Sequence, residues 1–545
     1  MKPRWYKQAV IYCLDVETYM DGDGNGIGDF KGLMDKLEYI SNLGANCIWL
    51  LPFYPSPNRD NGYDVKDYFG VDHRLGDPGD FVEFMNIAEE LGLRVIVDLV
   101  INHTSIDHPW FKAAREDPDS KYRDYYVWSE DKPDDADEGM IFPGQQSTTW
   151  TYDRAVGAYY YHRFYKHQPE LNIGNEQVRE EMRRVMGYWL EMGVSGFRVD
   201  AAPFLIELKG IEEPDVESPY EYLSEFRDFL SWRRGDAILL AEANVAPEKA
   251  HEYFGRGTRM HMLFNFLVNQ HLFLSLQQQR AAPLIEAMEE VPSIPEGGQW
   301  ANFLRNHDEL DLGRLSDEER QEVFEAFAPD EEMRLFGRGI RRRLPPMLEG
   351  DQDRIAMAYS MLFSLPGTPV IRYGEEIGMG EDLSLSGRTA VRTPMQWSAE
   401  ENGGFSNAQE QDLIRPVIGE GPYGYEKINV ISQRNDERSL LNRIGHMIRT
   451  RKNEPEFGSG ECEAVDLENE RVFAHRCSFQ GGTVIAFHNL SDTEQDVDLS
   501  PTGYQSNRLV ELVSDKRGSQ QVEDGRLTLD RFGYRWFRVL DAQEG

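Results

Sequence analysis

Eight short apolar runs of strand length precede roughly the last hundred residues: Ala9 to Cys13, Cys47 to Leu51, Arg94 to Val100, Gly196 to Ala201, Ala237 to Glu242, Met260 to Phe266, Ala301 to Asn306 and Pro369 to Tyr373. Amphipathic stretches with helical spacing separate most of them, among them Phe30 to Leu43, Phe81 to Leu91, Val178 to Met192 and Tyr220 to Trp232. Few folds accept strand and helix in eightfold alternation. The pattern predicts an α/β chain whose parallel strands close into a (β/α)8 barrel, with reactive side chains at the carboxyl ends of the strands.

Three of the runs end in an acid. In Gly196-Phe197-Arg198-Val199-Asp200 the arginine stands two residues before the acid and shares its strand face. Arg198 then holds Asp200 ionised and aimed, which a carboxylate nucleophile needs. Ala237 to Asn244 carries Glu242, and Phe303 to Asp308 carries His307 and Asp308. A fourth run, Arg94 to His103, ends in Asn102 and His103. One acid after a buried strand is more often a helix cap or a loop residue; four such endings in order, separated by helical patterns, are not explained that way.

The third run leads into a long polar and aromatic excursion, residues 104–172, of a length that is usually functional. A second excursion, residues 311–351, carries Arg341-Arg342-Arg343 and reads as a solvated helical flap, with a lid over the site as the sharper alternative. After about Arg451 the pattern turns to alternation with turns, which predicts an antiparallel C-terminal β-sandwich. The expected organisation is barrel 1–103, insertion 104–172, barrel 173–450 and C-terminal domain 451–545.

The four ordered segments resemble the signature segments of the α-amylase superfamily of glycoside hydrolases, and the resemblance runs from about Trp5 to the end of the chain. It implies that Asp200 is the nucleophile, Glu242 the general acid/base and Asp308 the transition-state stabiliser, with His103 and His307 donating to the same sugar and Arg198 supporting the nucleophile. Excursion 104–172 is then the inserted B domain. In glucosidase-like members an aspartate and an arginine pair across the blind end of the pocket, here taken as Asp64 and Arg392, with Tyr63 stacking on the terminal glucose. The wider match, through Gln168-Pro169-Glu170-Leu171-Asn172, Arg392 to Trp397 and Arg305 to Glu309, adds Gln168 to the sugar-binding set. It points to members that rearrange maltose into trehalose by retaining glucosyl transfer, releasing some glucose. An exo-acting α-glucosidase is the alternative, and Lys209 to Tyr222, Asp311 and Arg372 depart from the isomerising pattern where the acceptor would lie. Members without activity lack the acids and carry a membrane anchor, which makes a binding subunit a poor reading of this chain.

Between the first strand and helix lies Asp21-Gly22-Asp23-Gly24-Asn25-Gly26-Ile27-Gly28-Asp29, with oxygen side chains at alternate positions of a Gly-rich turn, as a hard cation requires. The resemblance implies calcium bound by Asp21, Asp23, Asn25, the backbone of Ile27 and Asp29. It also implies a second calcium held by Asn102, the carbonyls of Phe204 and Leu205, Glu207, and Glu170 where an aspartate is usual. No organic cofactor is expected.

A formal net charge of -37 argues against nucleic acid or an anionic membrane as partner and suits a neutral sugar such as maltose, trehalose or glucose. It suits a salt-rich environment as well as simple solubility. No run of about 18 apolar residues marks a membrane span. Cys13, Cys47, Cys462 and Cys477 lie far apart without metal spacing and read as reduced packing thiols, hence a cytoplasmic location. Homo-oligomerisation stays open.

Overall fold

The computed structural model describes residues 4–208, 218–515, 522 and 525–540. Eight parallel strands close into a barrel that keeps chain order: Ile11–Leu14, Cys47–Leu50, Arg94–Leu99, Gly196–Val199, Ile238–Ala241, Met262–Phe264, Gln299–Phe303 and Thr368–Arg372, the last pairing with the first. Each of the eight apolar runs forms one of them. Alternation sets what points where. Ile11, Cys13, Cys47, Trp49, Ile96, Ile238, Leu240, Ala301 and Phe303 fill the interior, while Tyr12, Leu14, Ile48, Val95, Val97 and Leu239 pack outward against the helices. Extending the inward set by one pleat brings Asp98, Asp200 and Glu242 to the carboxyl mouth.

The helix Phe30–Leu43 has the expected bounds, starting on Asp29, whose side chain accepts from Gly32 N, and ending at Gly44 with a left-handed φ of 108°. Helices Pro78–Glu90, Glu176–Glu191 and Glu221–Arg233 follow the other amphipathic stretches to within a turn. Between the third and fourth barrel strands lie the helix Pro109–Glu116 and a three-stranded antiparallel sheet of Trp128–Ser129, Trp150–Asp153 and Ala158–Tyr161. After the seventh comes a flap that is not only helical. Leu310–Asp311, Arg334–Leu335 and Gly339–Ile340 form a small sheet beside the helix Asp317–Phe327. The C-terminal part pairs a five-stranded antiparallel sheet with a two-stranded one, Gln495–Asp498 with Arg526–Leu529, around Val472, Ile485, Phe487, Val497, Leu527 and Phe537.

One expectation about the cysteines is corrected here. Cys13 and Cys47 are free and buried, but Cys462 and Cys477 form a disulfide. They sit directly opposite each other on the neighbouring strands Glu461–Ala464 and Val472–Phe479, a register that spacing alone does not reveal. The reduced-thiol argument for a cytoplasmic location therefore loses half its cysteines. Among the described residues no helix is long and apolar enough to cross a membrane.

Candidate active site

At the carboxyl mouth of the barrel the three acids named from sequence line one cavity of about 560 Å³, with Tyr63 and His103. Arg198, 1% exposed, is the hub. Its Nη1 donates to Asp200 at 2.5 Å and to Asp98 at 2.7 Å, and its Nη2 lies 2.8 Å from Glu242. One guanidinium thus serves three carboxylates. Burial pushes Asp200 up to about 6 against the pull of Arg198, so it is ionised at neutral pH. Burial likewise lifts Glu242 to about 7, opposed by Arg198 and reinforced by Asp200 and Asp308. A poised acid beside an ionised carboxylate is the division of labour that glycoside chemistry uses. Ala201, just after the nucleophile, takes a left-handed φ of 49°, and its N–H donates to Glu242 at 3.3 Å. Strain of this kind gathers where geometry is set for function.

Asp308 has the opposite environment. Burial alone would raise it, but His307, Arg388, Arg392 and Arg198 together hold it far below the usual carboxylate range. Arg388 and Arg392 both reach its Oδ1, at 2.8 and 2.7 Å. His307 Nε2 is 3.1 Å from Asp308 and 2.7 Å from the Tyr63 hydroxyl, with its ring stacked on Tyr63 at 5.7 Å. Burial pulls His307, against the opposing Asp308, and His103 below the ordinary imidazole value, His103 to about 4. His103 Nε2 meets the Tyr63 carbonyl at 3.2 Å, which fixes the stretch carrying the stacking ring.

The blind end is built from other residues than expected. Asp64 is fully buried away from Arg392; its carboxylate accepts from Ser56 Oγ and from the Arg59 and Asp60 amides, fastening its own loop. Arg392 turns to Asp308 and the His307 carbonyl. The pair across the end is Asp60 with Arg388, at 3.0 Å, and Gln168 Nε2 steadies Asp60 at 2.9 Å. Both corrected residues stand four positions before the ones chosen from sequence, and nothing in Asp60-Asn61-Gly62-Tyr63-Asp64 or Arg388-Thr389-Ala390-Val391-Arg392 marks which member faces the cavity. Asp98 was also missed, although its inward register after Ile96 signalled it. Arg372 does not reach the cavity lining; buried in the barrel, it donates to the Asn306 carbonyl at 3.1 Å. Asp311 does line the cavity, bonded to Asn244 at 3.3 Å and paired with Arg338 at 3.4 Å. Of the divergent stretch 209–222, residues 209–217 lie outside the described residues.

A roof crosses the mouth. Phe142 of the insertion packs on Phe336 of the flap at 4.8 Å and lies under the Arg388 guanidinium at 4.9 Å, while Arg338 donates to the Ile141 carbonyl at 3.3 Å.

The two ion loops differ. Asp21, Asp23 and Asp29 bring carboxylate oxygens within 4.8 Å of one another, an all-oxygen set that fits a hard divalent cation, while Asn25 Nδ2 donates to Asp23 at 3.1 Å. The second set does not fit as implied. Arg163 stands between its acids, with Nε 3.4 Å from Glu170, Nη1 paired to Glu207 and the guanidinium 4.4 Å over Phe204. A fixed positive charge already serves both carboxylates there, and Asn102 is turned to His103 at 3.2 Å.

The α-amylase catalytic-domain model matches residues 14–328 and 341–460. The chain belongs to the α-amylase family. A sucrose hydrolase-like C-terminal domain model matches residues 481–538. Trehalose synthase of Thermus thermophilus is 42% identical over the whole chain, which spans 56% of that relative's length. Trehalose synthase of Pimelobacter sp. (strain R48) is 40% identical, with 99% of this chain and 96% of the relative covered. Among solved structures, the α-amylase from H.orenii superposes with a TM-score of 0.80 at 25% identity, covering 98% of this chain and 99% of that one. A trehalulose synthase gives 0.79 at 25% identity, with 98% and 100% covered. The chain is therefore a glycoside hydrolase-family enzyme that acts on small carbohydrates. The family match leaves out residues 329–340, which carry Phe336 and Arg338, the flap's side of the roof.

Proposed function

We propose that the enzyme rearranges maltose into trehalose within one closed site, by retaining glucosyl transfer with some hydrolysis. The observation that carries the reading is the shape of the cavity: the Asp60–Arg388 pair closes one end behind a single sugar ring, and the Phe142–Phe336 contact covers the other. The non-reducing glucose sits against Tyr63 with its far hydroxyls on Asp60 and Arg388. Asp200 attacks its anomeric carbon while Glu242 gives its proton to the bridging oxygen, so the C–O bond breaks as the ester bond forms. Asp308, ionised throughout, steadies the positive charge that develops on the ring. The freed glucose turns under the roof and offers its anomeric hydroxyl. Glu242 now takes that proton, the oxygen bonds to the glucosyl carbon, and Asp200 leaves as carboxylate. Two inversions restore the α configuration, which gives an α,α link.

Full-length relatives named trehalose synthase support this reading over an exo-α-glucosidase. Incubation with maltose and analysis of the sugars tests it: trehalose should exceed free glucose from the first minutes. Glucose alone, two per maltose, would make the enzyme an α-glucosidase. We further propose that Asp21, Asp23, Asn25, Asp29 and the Ile27 carbonyl hold a calcium ion. Bound there, it would neutralise crowded carboxylates and brace the loop, remote from the chemistry.

A further inference from the structure

Asp98, on the third barrel strand, is fully buried and takes no part in the steps above. Its two oxygens have separate partners. Oδ1 accepts from Arg198 Nη1 at 2.7 Å, and Oδ2 accepts from the Tyr63 hydroxyl at 3.0 Å and from Trp49 Nε1 at 3.4 Å. The Tyr63 hydroxyl lies in turn 2.7 Å from His307 Nε2 and 3.3 Å from Arg198 Nη1, and the same His307 Nε2 is 3.1 Å from Asp308 Oδ2. Asp98, Tyr63, His307 and Asp308 thus form one hydrogen-bonded chain.

The protons in this chain have one consistent arrangement. Burial, with Arg392, Arg198 and Arg372 and against Asp308, pulls His307 below its ordinary value, so near neutral pH the ring has a single proton to place. On Nδ1 it would be a buried donor without an acceptor, and the Nε2 lone pair would face the ionised Asp308. On Nε2 it meets oxygen. The Tyr63 oxygen, which already accepts from Arg198, then accepts from His307 as well and sends its own hydrogen to Asp98. Burial, opposed by Arg198 and Tyr63 and reinforced by Glu242, puts Asp98 at about 6, so it is ionised there. A carboxylate is needed at this place. An amide would turn its NH2 either to Arg198 or to the Tyr63 and Trp49 donors, and no acceptor for the tyrosine hydrogen would remain except His307 Nε2. We propose that Asp98 is a positioning residue that sets the tautomer of His307: by taking the Tyr63 hydroxyl hydrogen, it keeps Nε2 a donor beside the stabilising Asp308. The inference concerns the half of the site that holds the donor ring, and it stands whether glucose or water is the acceptor.

The test uses the whole enzyme labelled with nitrogen-15 at histidine, with the His307 signals assigned by their loss in His307→Gln. At about pH 7.5 the two ring nitrogens show which of them carries hydrogen. The native enzyme should show the Nε2–H form. Asp98→Asn should convert the ring to the Nδ1–H form or make it take up a second proton, and adding Tyr63→Phe, which leaves no hydroxyl to turn, should restore Nε2–H. A merely structural role for Asp98 predicts no such rescue. Kinetics should follow: Asp98→Asn lowers kcat/KM for maltose about 100-fold and Tyr63→Phe about tenfold, yet the double variant falls less than about threefold below Asp98→Asn. A native ring protonated on Nδ1, an Asp98→Asn ring like the native one, or losses that multiply would each overturn the inference, and none of them bears on the trehalose to glucose ratio that tests the function. Where Asp98→Asn does not fold, acid replaces it. As Asp98 gains its proton near pH 6, the native His307 signals should shift, and in Tyr63→Phe, where Asp200 still titrates near 6, that step should vanish. The same step in both enzymes overturns the inference.

Discussion

The floor of the cavity and its roof are held by different means. On the floor, Asp200 and Glu242 follow barrel strands whose inward register is set by packing, and each reaches Arg198 within 2.8 Å. Asp308, Asp60, Arg388 and Arg392 form a second buried set in which one carboxylate accepts from two guanidinium groups. The roof is loop against loop: Phe142 on Phe336, and a hydrogen bond from the Arg338 guanidinium to the Ile141 carbonyl. Removing a partner from a buried ion set strands a charge, whereas parting two rings on loops costs a contact that closure can remake. The floor is therefore built to fix charge and the roof to open and close, and the two should answer mutation differently in both size and kind.

The largest effect belongs to the floor. Asp200→Ala and Glu242→Gln should each lower maltose consumption by a factor of about 10,000 or more, with the fold intact by circular dichroism, since both remove interactions made only at the transition state. In the native enzyme kcat/KM should rise with pH as Asp200 ionises near 6 and fall as Glu242 loses its proton near 7. Either variant retaining near-native turnover would break the assignment. Next comes the blind end. Arg388→Gln or Asp60→Asn leaves a buried partner uncompensated, a loss of about 3 kcal/mol, and should cut kcat/KM by about 100-fold. Asp64→Asn should act chiefly on stability, because Asp64 serves backbone amides and not the sugar. If Asp64→Asn impaired maltose binding more than Asp60→Asn, the corrected pairing would be wrong.

The same contrast governs what was legible in the sequence. Strand-borne acids could be read because alternation fixes the face of every second residue: Arg198 and Asp200 had to share one, and all eight runs became strands. Loop residues have no such period. Asp60 and Asp64 flank the same Asn-Gly-Tyr, and only the fold of the loop turns the first to the cavity and the second to the Arg59 and Asp60 amides. The disulfide depends on strand register, Cys462 opposite Cys477, and the second ion set on where Arg163 comes to rest.

On the roof the effects should be smaller and of another kind. Phe336→Ala and Arg338→Ala loosen the cover without touching the acids, so maltose consumption should stay within a few-fold of native while the share appearing as glucose rises about three- to tenfold, as water gains access. Labelled glucose added from outside should then enter trehalose more readily than in the native enzyme. A roof variant that lost consumption as severely as Arg388→Gln would show that the two regions are not separable.

The smallest expected effect on chemistry lies outside both regions, in the loop Asp21 to Asp29. Its carboxylates converge, and each is already tied to backbone: Asp21 accepts from Gly24 and Gly26 amides and from Ser406 Oγ, and Asp29 from Gly22 and Gly32 amides. The loop thereby anchors residues 405–414, since Ile414 N donates to the Gly26 carbonyl. Arg415, next in the chain, pairs with Glu17 and donates to Asn61 at 2.8 Å, beside the Asp60 and Tyr63 of the floor. Chelation should lower the melting temperature by several degrees, because an ion bound only by the folded state stabilises it in proportion to the logarithm of its concentration. At saturating maltose and moderate temperature kcat should change less than twofold, and the trehalose to glucose ratio not at all, because the ion acts on the support of the floor and on neither its charges nor the roof. Elemental analysis should find one calcium per chain, not two, given Arg163 between Glu170 and Glu207. A full complement of two ions would return the second set to the metal and displace the guanidinium. No bound ion, with no thermal shift on chelation, would leave the loop held by its own amides.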